Sequence, residues 1–175
     1  MSNNLVFLAS TSSSTSATNI VTFRGRDAKI RSVYWGPDGA VGQDDLSGTA
    51  GAPPASGSPF AWFTQAEDVS RVVYRATDNH IYELAWPNIA PVSGRDLTAL
   101  SGAPAAAGNV SGGYNPADNT QHVIFRSSDG GLHELWWFLG SGAVGHVNLT
   151  AAYGAPKAAD RPVYYSSARW PHQHV

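Results

Sequence analysis

A unit of about fifty residues occurs three times in this sequence, and this repetition constrains the fold more than any other feature. An arginine recurs every 51 residues, at Arg24, Arg75 and Arg126. In each copy an aspartate follows three residues later and a tryptophan eleven residues later. A fixed spacing of roughly 20 to 50 residues is typical of repeat architectures, in which every copy forms one small structural unit.

The core of each copy predicts a β-hairpin. In the third copy, runs of β-branched and aromatic residues at His122–Arg126 and Leu132–Trp137 flank the turn sequence Ser127–Gly131. The two earlier copies of this hairpin are Asn19–Trp35 and Arg71–Trp86. In a tight turn closed by Asp129 and Gly130, Arg126 is expected to face His133, with Glu134 on the opposite face beside Phe125.

Two further strands are predicted in each unit. A short third strand is expected at the triplets Asp45–Ser47, Asp96–Thr98 and Asn148–Thr150. After a Gly-Ala-Pro exit turn, another strand is expected at Phe60–Phe63, Ser111–Tyr114 and Val163–Ser166. Four short strands in about 50 residues predict an all-β fold made of β-propeller blades.

The units can be assigned along the whole chain, residues 1–175, as one propeller segment. If the strand after each exit turn opens the next unit, the units are approximately 4–57, 58–108 and 109–160, with a partial fourth unit at 161–175. Leu5–Ala9 is then the predicted first strand of the first unit. An open arc of blades leaves apolar faces and strand edges in water, so we expect self-association into a ring of roughly six or seven blades. The alternatives are a fragment of a longer chain and final residues that only pad an edge.

Composition excludes several classes of function. Charged residues are 14% of the chain and the net charge is −2, which argues against a nucleic-acid partner. No apolar run approaches the roughly 20 residues of a membrane helix, so membrane insertion is not expected. The N-terminus has no recognisable secretion signal, which predicts a cytoplasmic location or a non-classical release route. No cofactor or metal site is predicted, because cysteine is absent and the one alternating pair, His172 and His174, is best explained as chance.

The repeat sequence resembles a known family. HVIFRSSDGGLHELWW, followed by Asn-Leu-Thr, Gly-Ala-Pro and a tyrosine-containing strand, is similar to the repeat of the PLL-like bacterial lectins. Those proteins are seven-bladed β-propellers that bind fucose and related, sometimes O-methylated, sugars. The resemblance covers the chain from Asn19 onward and implies several equivalent sugar sites between adjacent blades. The chain departs from the family in length, because a family member carries its whole ring in one chain.

Residue types in the repeat also suit a saccharide. A sugar ring stacks its C–H face on an aromatic side chain, and its hydroxyl groups bind arginine and carboxylate groups. The candidate sugar-binding residues are Arg75, Tyr82, Glu83, Trp86, Tyr114, Arg126, His133, Glu134, Trp136 and Trp137. The expected partners are therefore fucosylated or related glycans, bound by a multivalent homo-oligomer. Ser32 replaces the glutamate in the first unit, so a site there is expected to be weak or absent.

Structural roles remain open for the same residues. Each repeated arginine is equally consistent with a tie to the turn aspartate three residues later, and the repeated Trp35, Trp86 and Trp137 are better explained as packing between blades. Trp136 and His133 vary between units, which favours contact with solvent or ligand over a core role. The alternative function is a structural or protein-interaction propeller without sugar binding. An enzyme is not expected, because no unique carboxylate pair or nucleophile motif is present.

Overall fold

The computed structural model describes residues 18–87 and 90–166, which form three antiparallel sheets. The first sheet contains β1 Asn19–Arg24, β2 Ile30–Trp35 and β3 Val41–Asp45, followed by α1 Leu46–Thr49. The second contains β4 Phe60–Thr64, β5 Val69–Arg75, β6 Ile81–Pro87 and β7 Ser93–Asp96, followed by α2 Leu97–Ser101. The third contains β8 Ser111–Asn115, β9 Thr120–Arg126, β10 Leu132–Phe138 and β11 Gly145–Asn148, followed by α3 Leu149–Tyr153.

Each sheet is a simple meander, with strands adjacent in the chain paired in the sheet. The orders are β1-β2-β3, β4-β5-β6-β7 and β8-β9-β10-β11. The strands predicted at Phe60–Phe63 and Ser111–Tyr114 are confirmed, and each pairs with the arginine-bearing strand that follows it. Val163–Ser166 is not a strand among the described residues, and the predicted strand Leu5–Ala9 lies outside them. The four-stranded sheets are blade units of a β-propeller, which confirms the predicted fold class.

The predicted third strand is displaced by several residues, because the repeated triplets begin short helices. The third strands end at Asp45, Asp96 and Asn148, which are N-caps. Each cap side chain accepts a hydrogen bond from the backbone N–H three residues later, an arrangement that favours a helical turn over an extended chain. We therefore correct the strand assignment of these triplets to helix starts.

The third residue of each triplet fixes the helix to the hairpin. The hydroxyl groups of Ser47, Thr98 and Thr150 accept the N–H groups of Ile30, Ile81 and Leu132, each at 2.9 Å. These N–H groups belong to the first residue of the second hairpin strand. The hydrogen bond explains why only serine or threonine follows the leucine in every copy.

The hairpin loop changes the predicted arrangement of side chains by one residue. Ser127 N–H donates to the Gly131 carbonyl at 2.9 Å, and Gly130 N–H donates to the Ser127 carbonyl. Gly130 has φ 87°, the left-handed conformation that closes a three-residue loop. Arg126 is consequently opposite Leu132 rather than His133. The sequence prediction was wrong here: Arg126 and Glu134 share one face of the sheet, because a register shift of one residue exchanges the two faces.

The core lies between the sheets. On one side of the second sheet, Val72, Tyr74 and Leu84 pack with Ile30 and Leu46 of the first repeat. On the other side, Val73 and Ile81 pack with a cluster from the third sheet that contains Val123, Phe125, Leu135 and Trp137. The second sheet therefore buries both faces, as the middle member of a stack of blades does. Within the described ranges, no helix is long and apolar enough to cross a membrane.

Candidate binding site between the second and third sheets

Strand register places a charged row on the face of the second sheet that meets the third. Val73 is opposite Glu83 and Arg75 is opposite Ile81, so these four side chains share one face. Arg71 lies on the same face, two residues before Val73. Arg95 of β7 is opposite Glu83 and extends the row to the outer strand.

A cleft of ≈ 350 Å³ opens at this junction. We call it the second–third cleft. The second sheet contributes Arg71, Glu83 and Arg95 to its lining, and the third contributes Trp137 and the loop around Gly140–Gly142. The two walls of the cleft thus belong to two different repeats. Most of its polar groups come from the second sheet.

Glu83 is the most buried charged group of the cleft, with 1% of its surface exposed. Its Oε1 accepts a hydrogen bond from Arg71 Nη1 at 2.7 Å, and its Oε2 accepts one from Arg95 Nε. Arg71 Nη2 also forms an ion pair with Glu67. Two arginines and two carboxylates therefore form one charge-balanced network, whose pairing offsets the cost of burying Glu83.

Trp137 forms the floor beneath this network. The indole is 2% exposed, and the Arg95 guanidinium carbon lies 4.7 Å from its ring centroid. This is a cation–π contact, favourable because the indole face is electron-rich. The loop of the third sheet also contacts the network, because Gly140 N–H donates to Glu67 Oε1 at 3.0 Å. The cleft is thus held at a fixed width by contacts from both sheets.

The corresponding interval between the first and second sheets is less polar. Ile20 stands where the second sheet has Arg71, and Ser32 stands where it has Glu83. A small gap lies there, which we call the first–second gap, and its lining includes Ile20, Thr22, Ala61, Arg71 and Trp86. Arg71 borders this gap, but among the described residues no carboxylate lines it, so it has no arginine–carboxylate pair of the kind found in the cleft.

A variant of the network lies on the face of the third sheet away from the second, here called the far face. His122 and Glu134 occupy the positions of Arg71 and Glu83, with Nδ1 of His122 2.6 Å from Oε1 of Glu134. The ring of Tyr164 stacks on His122 at 5.2 Å between centroids. Burial, helped by the Glu134 carboxylate, raises the pKa of Tyr164 to about 12. Trp136 is half-buried on the same face and meets Phe138 edge to face.

Arg75 and Arg126 occupy the same position of the repeat and were both candidate ligands, but their side-chain contacts differ. Arg75 Nε donates to the Gly108 carbonyl at 3.0 Å, and its Nη1 donates to Asn79 Oδ1 at 2.6 Å. The predicted tie to Asp78 does not form, because Asp78 instead accepts from Tyr82 and from the His80 N–H. The Arg126 guanidinium forms no hydrogen bond or ion pair with any residue of 18–87 or 90–166.

The other candidates lie away from the cleft. His133 is buried between the rings of Phe125 and His146, and its two ring nitrogens contact His146 and Ser127. Burial and the neighbouring His146 lower the pKa of His133. Tyr82 and Trp86 pack on the opposite side of the second sheet. Tyr114 borders the core between the second and third sheets, with its hydroxyl donating to Asn119. Of the ten candidates, only Glu83 and Trp137 line the cleft.

Sequence reasoning missed Arg71, Arg95 and Glu67. One signal was available for Arg71: it precedes Glu83 by twelve residues, as His122 precedes Glu134. The 51-residue repeat does not mark Arg71, because the equivalent positions are Ile20 and His122. Arg95 and Glu67 had no local signal, since their roles depend on which strands become neighbours.

Comparison with known proteins supports the fold. No protein-family model and no curated protein matches the sequence. Among solved structures, a fucose lectin from Kordia zhangzhouensis in complex with methyl-fucoside aligns with a TM-score of 0.54 at 16% identity, covering 75% of this chain and 90% of that one. A mutant of AofleA from Arthrobotrys oligospora aligns with a TM-score of 0.52 at 17% identity, covering 74% of this chain and 39% of that one. The lectin SapL1 in complex with α-methyl fucoside aligns at 0.45 with 20% identity, covering 75% and 44%.

The alignments with the Kordia lectin and AofleA show which class of fold this chain has. The chain consists of propeller blades of the kind found in the Kordia lectin and AofleA. The resemblance to fucose-binding propeller lectins expected from the repeat is thereby confirmed at the level of the fold. The AofleA alignment spans well under half of that chain.

Proposed function

We propose that this protein is a non-catalytic lectin that binds fucose or a related, including O-methylated, sugar in the second–third cleft. The observation that carries the proposal is the cleft itself, where two arginines and a carboxylate stand beside an indole ring at a junction of blades. Sugars are recognised by this combination of planar charged groups and an aromatic surface. The Kordia lectin, whose fold this chain shares, was solved with methyl-fucoside, which supports the choice of sugar.

The network would bind hydroxyl groups without being dismantled. A carboxylate has about four acceptor positions, so Glu83 retains capacity after accepting from Arg71 and Arg95. The Arg95 side chain is 26% exposed and is the accessible donor of the network. Because Arg95 covers the Trp137 ring, the sugar meets the guanidinium first and the indole supports that guanidinium from beneath. The two arginine contacts hold the Glu83 carboxylate in a fixed orientation before the ligand arrives.

Multivalency is part of the proposal, with sites that differ from one another. The far face offers His122 and Glu134 in the positions of Arg71 and Glu83, together with Trp136 and the Arg126 guanidinium, which has no partner among the described residues. The first–second gap has no carboxylate among the described residues that line it and is not proposed as a site. Weak single sites that repeat around a ring gain avidity on a surface that displays many glycans. We further propose that the ring is closed by association of copies of this chain.

Filling the cleft tests this function without disturbing the ion network. A Cβ on Gly142 meets nothing within 4 Å, so Gly142→Leu is tolerated by the backbone and projects into the cleft. Ala99→Leu adds the same side chain to an exposed position of α2 and is the matched control. Calorimetric titration with methyl α-L-fucoside is expected to show a loss of affinity of at least tenfold for Gly142→Leu and none for Ala99→Leu.

A glycan array decides between the two functional classes. Binding that free L-fucose inhibits is expected if the protein is a lectin of this kind. A blank array with folded, assembled protein, together with no heat on titration, would overturn the proposal and favour a protein-interaction propeller. Undiminished binding by Gly142→Leu would show that sugar binds elsewhere and would remove the second–third cleft from the proposal.

A further inference from the structure

Val163–Ser166 lies against the far face in an alternating pattern. Tyr164 is seated on that face: its N–H donates to Ser111 Oγ at 2.9 Å and its ring stacks on His122. Its neighbours Val163 and Tyr165 are 75% and 82% exposed. Alternation of packed and exposed side chains is the pattern of a strand with only one face covered.

The position of this segment in the repeat identifies its structural equivalents. Val163 follows Gly154 of the exit turn by nine residues, as Phe60 follows Gly51 and Ser111 follows Gly102. Both equivalents begin the first strand of a blade and pair with the next strand, Phe60 with Val73 and Ser111 with Ile124. Val163–Ser166 therefore occupies the place of a first strand, with no strand paired to it among the described residues.

Whereas Val163–Ser166 occupies the place of a first strand without a sheet, the first sheet has no first strand among the described residues. It has three strands where the others have four, and within 18–87 and 90–166 no strand pairs with the free edge of β1. The first–second gap lies beside this edge, next to Ile20 and Thr22. In the second–third interval the equivalent space is filled by Trp62 of β4, whose Nε1 donates to Gln121 at 2.7 Å. Among the described residues, the gap therefore lies where a first strand would place the side chain equivalent to Trp62.

We propose that Val163–Ser166 of one copy forms the first strand of the first sheet in a second copy. This rests on the self-association proposed above and specifies the surfaces that meet. By the register of the other blades, Val163 lies opposite Thr22 of the partner, and Tyr165 lies opposite Ile20. The Tyr165 ring then fills the first–second gap, just as Trp62 fills the next interval.

The same docking covers a second apolar surface. Trp35 is 40% exposed in the first sheet, whereas its equivalent Trp137 is buried against the preceding blade. When the partner's first sheet docks on the far face, its Trp35 meets the face that carries His122 and Glu134. Two copies that exchange strands in this way have two identical junctions and close a ring of six blades, within the usual range of about four to eight.

The alternative to strand exchange is that a segment of the same chain pairs with the edge of β1. The sequence places Leu5–Ala9 in the same position of the repeat, and that segment lies outside the described residues. If it pairs with β1 of its own chain, the edge is unavailable to a second copy. The two arrangements differ in whether residue 163 approaches Thr22 of another chain.

Paired cysteines test this directly, because the chain has no cysteine of its own. Opposed residues of antiparallel strands have Cα atoms about 4.5 to 5.5 Å apart, which suits a disulfide. Thr22→Cys and Val163→Cys proteins are co-refolded and oxidised, then separated on a non-reducing gel. A species of twice the 18.5 kDa chain mass is expected. The control pairs Val163→Cys with Thr49→Cys, at an exposed position of α1, and should remain largely uncoupled.

Solution mass separates this inference from the proposed lectin function. Light scattering of the unmodified protein should give twice the chain mass, and Tyr165→Asp, which changes an exposed residue, should return it to the mass of one chain. A monomeric unmodified protein, or a dimer in which residues 22 and 163 do not couple, would overturn the strand exchange. Sugar binding by a monomer would support the lectin proposal and overturn the strand exchange. A disulfide-coupled dimer that binds no sugar would support the strand exchange and overturn the lectin proposal.

Discussion

Glu83 is bound on both of its carboxylate oxygens by arginines of its own sheet, Arg71 at 2.7 Å and Arg95 on the other side. Removing the carboxylate leaves two guanidinium groups together in a buried site. We expect Glu83→Ala to lower the free energy of unfolding by about 3 to 5 kcal/mol, the usual cost of leaving buried charge unpaired. Urea denaturation measures the change.

Glu134→Ala is the matched comparison for this prediction. Glu134 has the same position in the third repeat, but it is more exposed and has one histidine partner rather than two arginines. Its loss should cost less than half as much. Equal costs for the two variants would show that the arginine network does not stabilise the second sheet.

Two of the three repeated arginines, Arg75 and Arg126, should contribute differently to thermal stability. Arg75→Ala removes hydrogen bonds to Gly108 and Asn79, and we expect a loss of about 1 kcal/mol. Arg126→Ala removes a guanidinium with no partner in the described ranges, so stability should stay within about 0.5 kcal/mol. If the far face binds sugar through Arg126, its variant loses sites without losing stability. A clear drop in Tm for Arg126→Ala would instead assign it a structural role.

The pKa values of three histidines should be shifted from their ordinary value, two downward and one upward. Burial lowers the pKa of His133 and of His146 below 6.5, whereas the hydrogen bond to Asp96 raises the pKa of His80 above it. Imidazole proton NMR, with His80→Gln for assignment, measures the three midpoints. His133 or His146 titrating above 6.5 would contradict the buried, neutral pair.

These titrations link protonation to folding. The unfolded chain protonates its histidines near 6.5, before His133 and His146 protonate in the folded state, so their contribution is full above that pH and falls as the pH drops below it. The contribution of His80 has the opposite sign. It is present below 6.5 and is lost as the pH rises through the folded pKa of His80.

A glycine beneath Trp136 should be intolerant of any side chain. A Cβ at Gly145 would lie 2.4 Å from the Trp136 ring, so Gly145→Ala must displace the indole. We expect a loss of about 1 to 3 kcal/mol and a shift in tryptophan fluorescence. Gly142→Ala is the control, because its Cβ would meet nothing within 4 Å. Equal stability of the two variants would mean that Trp136 rearranges freely.

Part of this structure could be predicted because its signals are local. The hairpins, the strands at Phe60 and Ser111, and the blade class follow from short patterns that the chain repeats at fixed spacing. The short helices were missed because a capping Asp-Leu-Thr triplet and a strand end have similar compositions, and only tertiary contacts such as the hydrogen bond from the Ile81 N–H to the Thr98 hydroxyl distinguish them.

The candidate site was predicted less well, for a geometric reason. The choice between a two-residue and a three-residue turn at Ser127–Gly131 depends on the left-handed Gly130, and it decides which face Arg126 occupies. Arg95 could not be predicted at all. Its contact with Trp137 joins side chains from two different sheets.

The sequence by itself determined the repeating blade, because strand periodicity, turn residues and caps act over a few neighbouring positions. Only the tertiary structure decided which charges are paired and which remain free. Arg71, Arg75 and Arg126 are chemically identical, yet the first is locked to Glu83, the second is tied to Gly108 and the third has no partner in the described ranges. The difference arises because the partners of a long side chain come from whichever strands and loops fold next to it, here Glu83 of the adjoining strand for Arg71 and Gly108 of a distant loop for Arg75, and local sequence does not specify these neighbours.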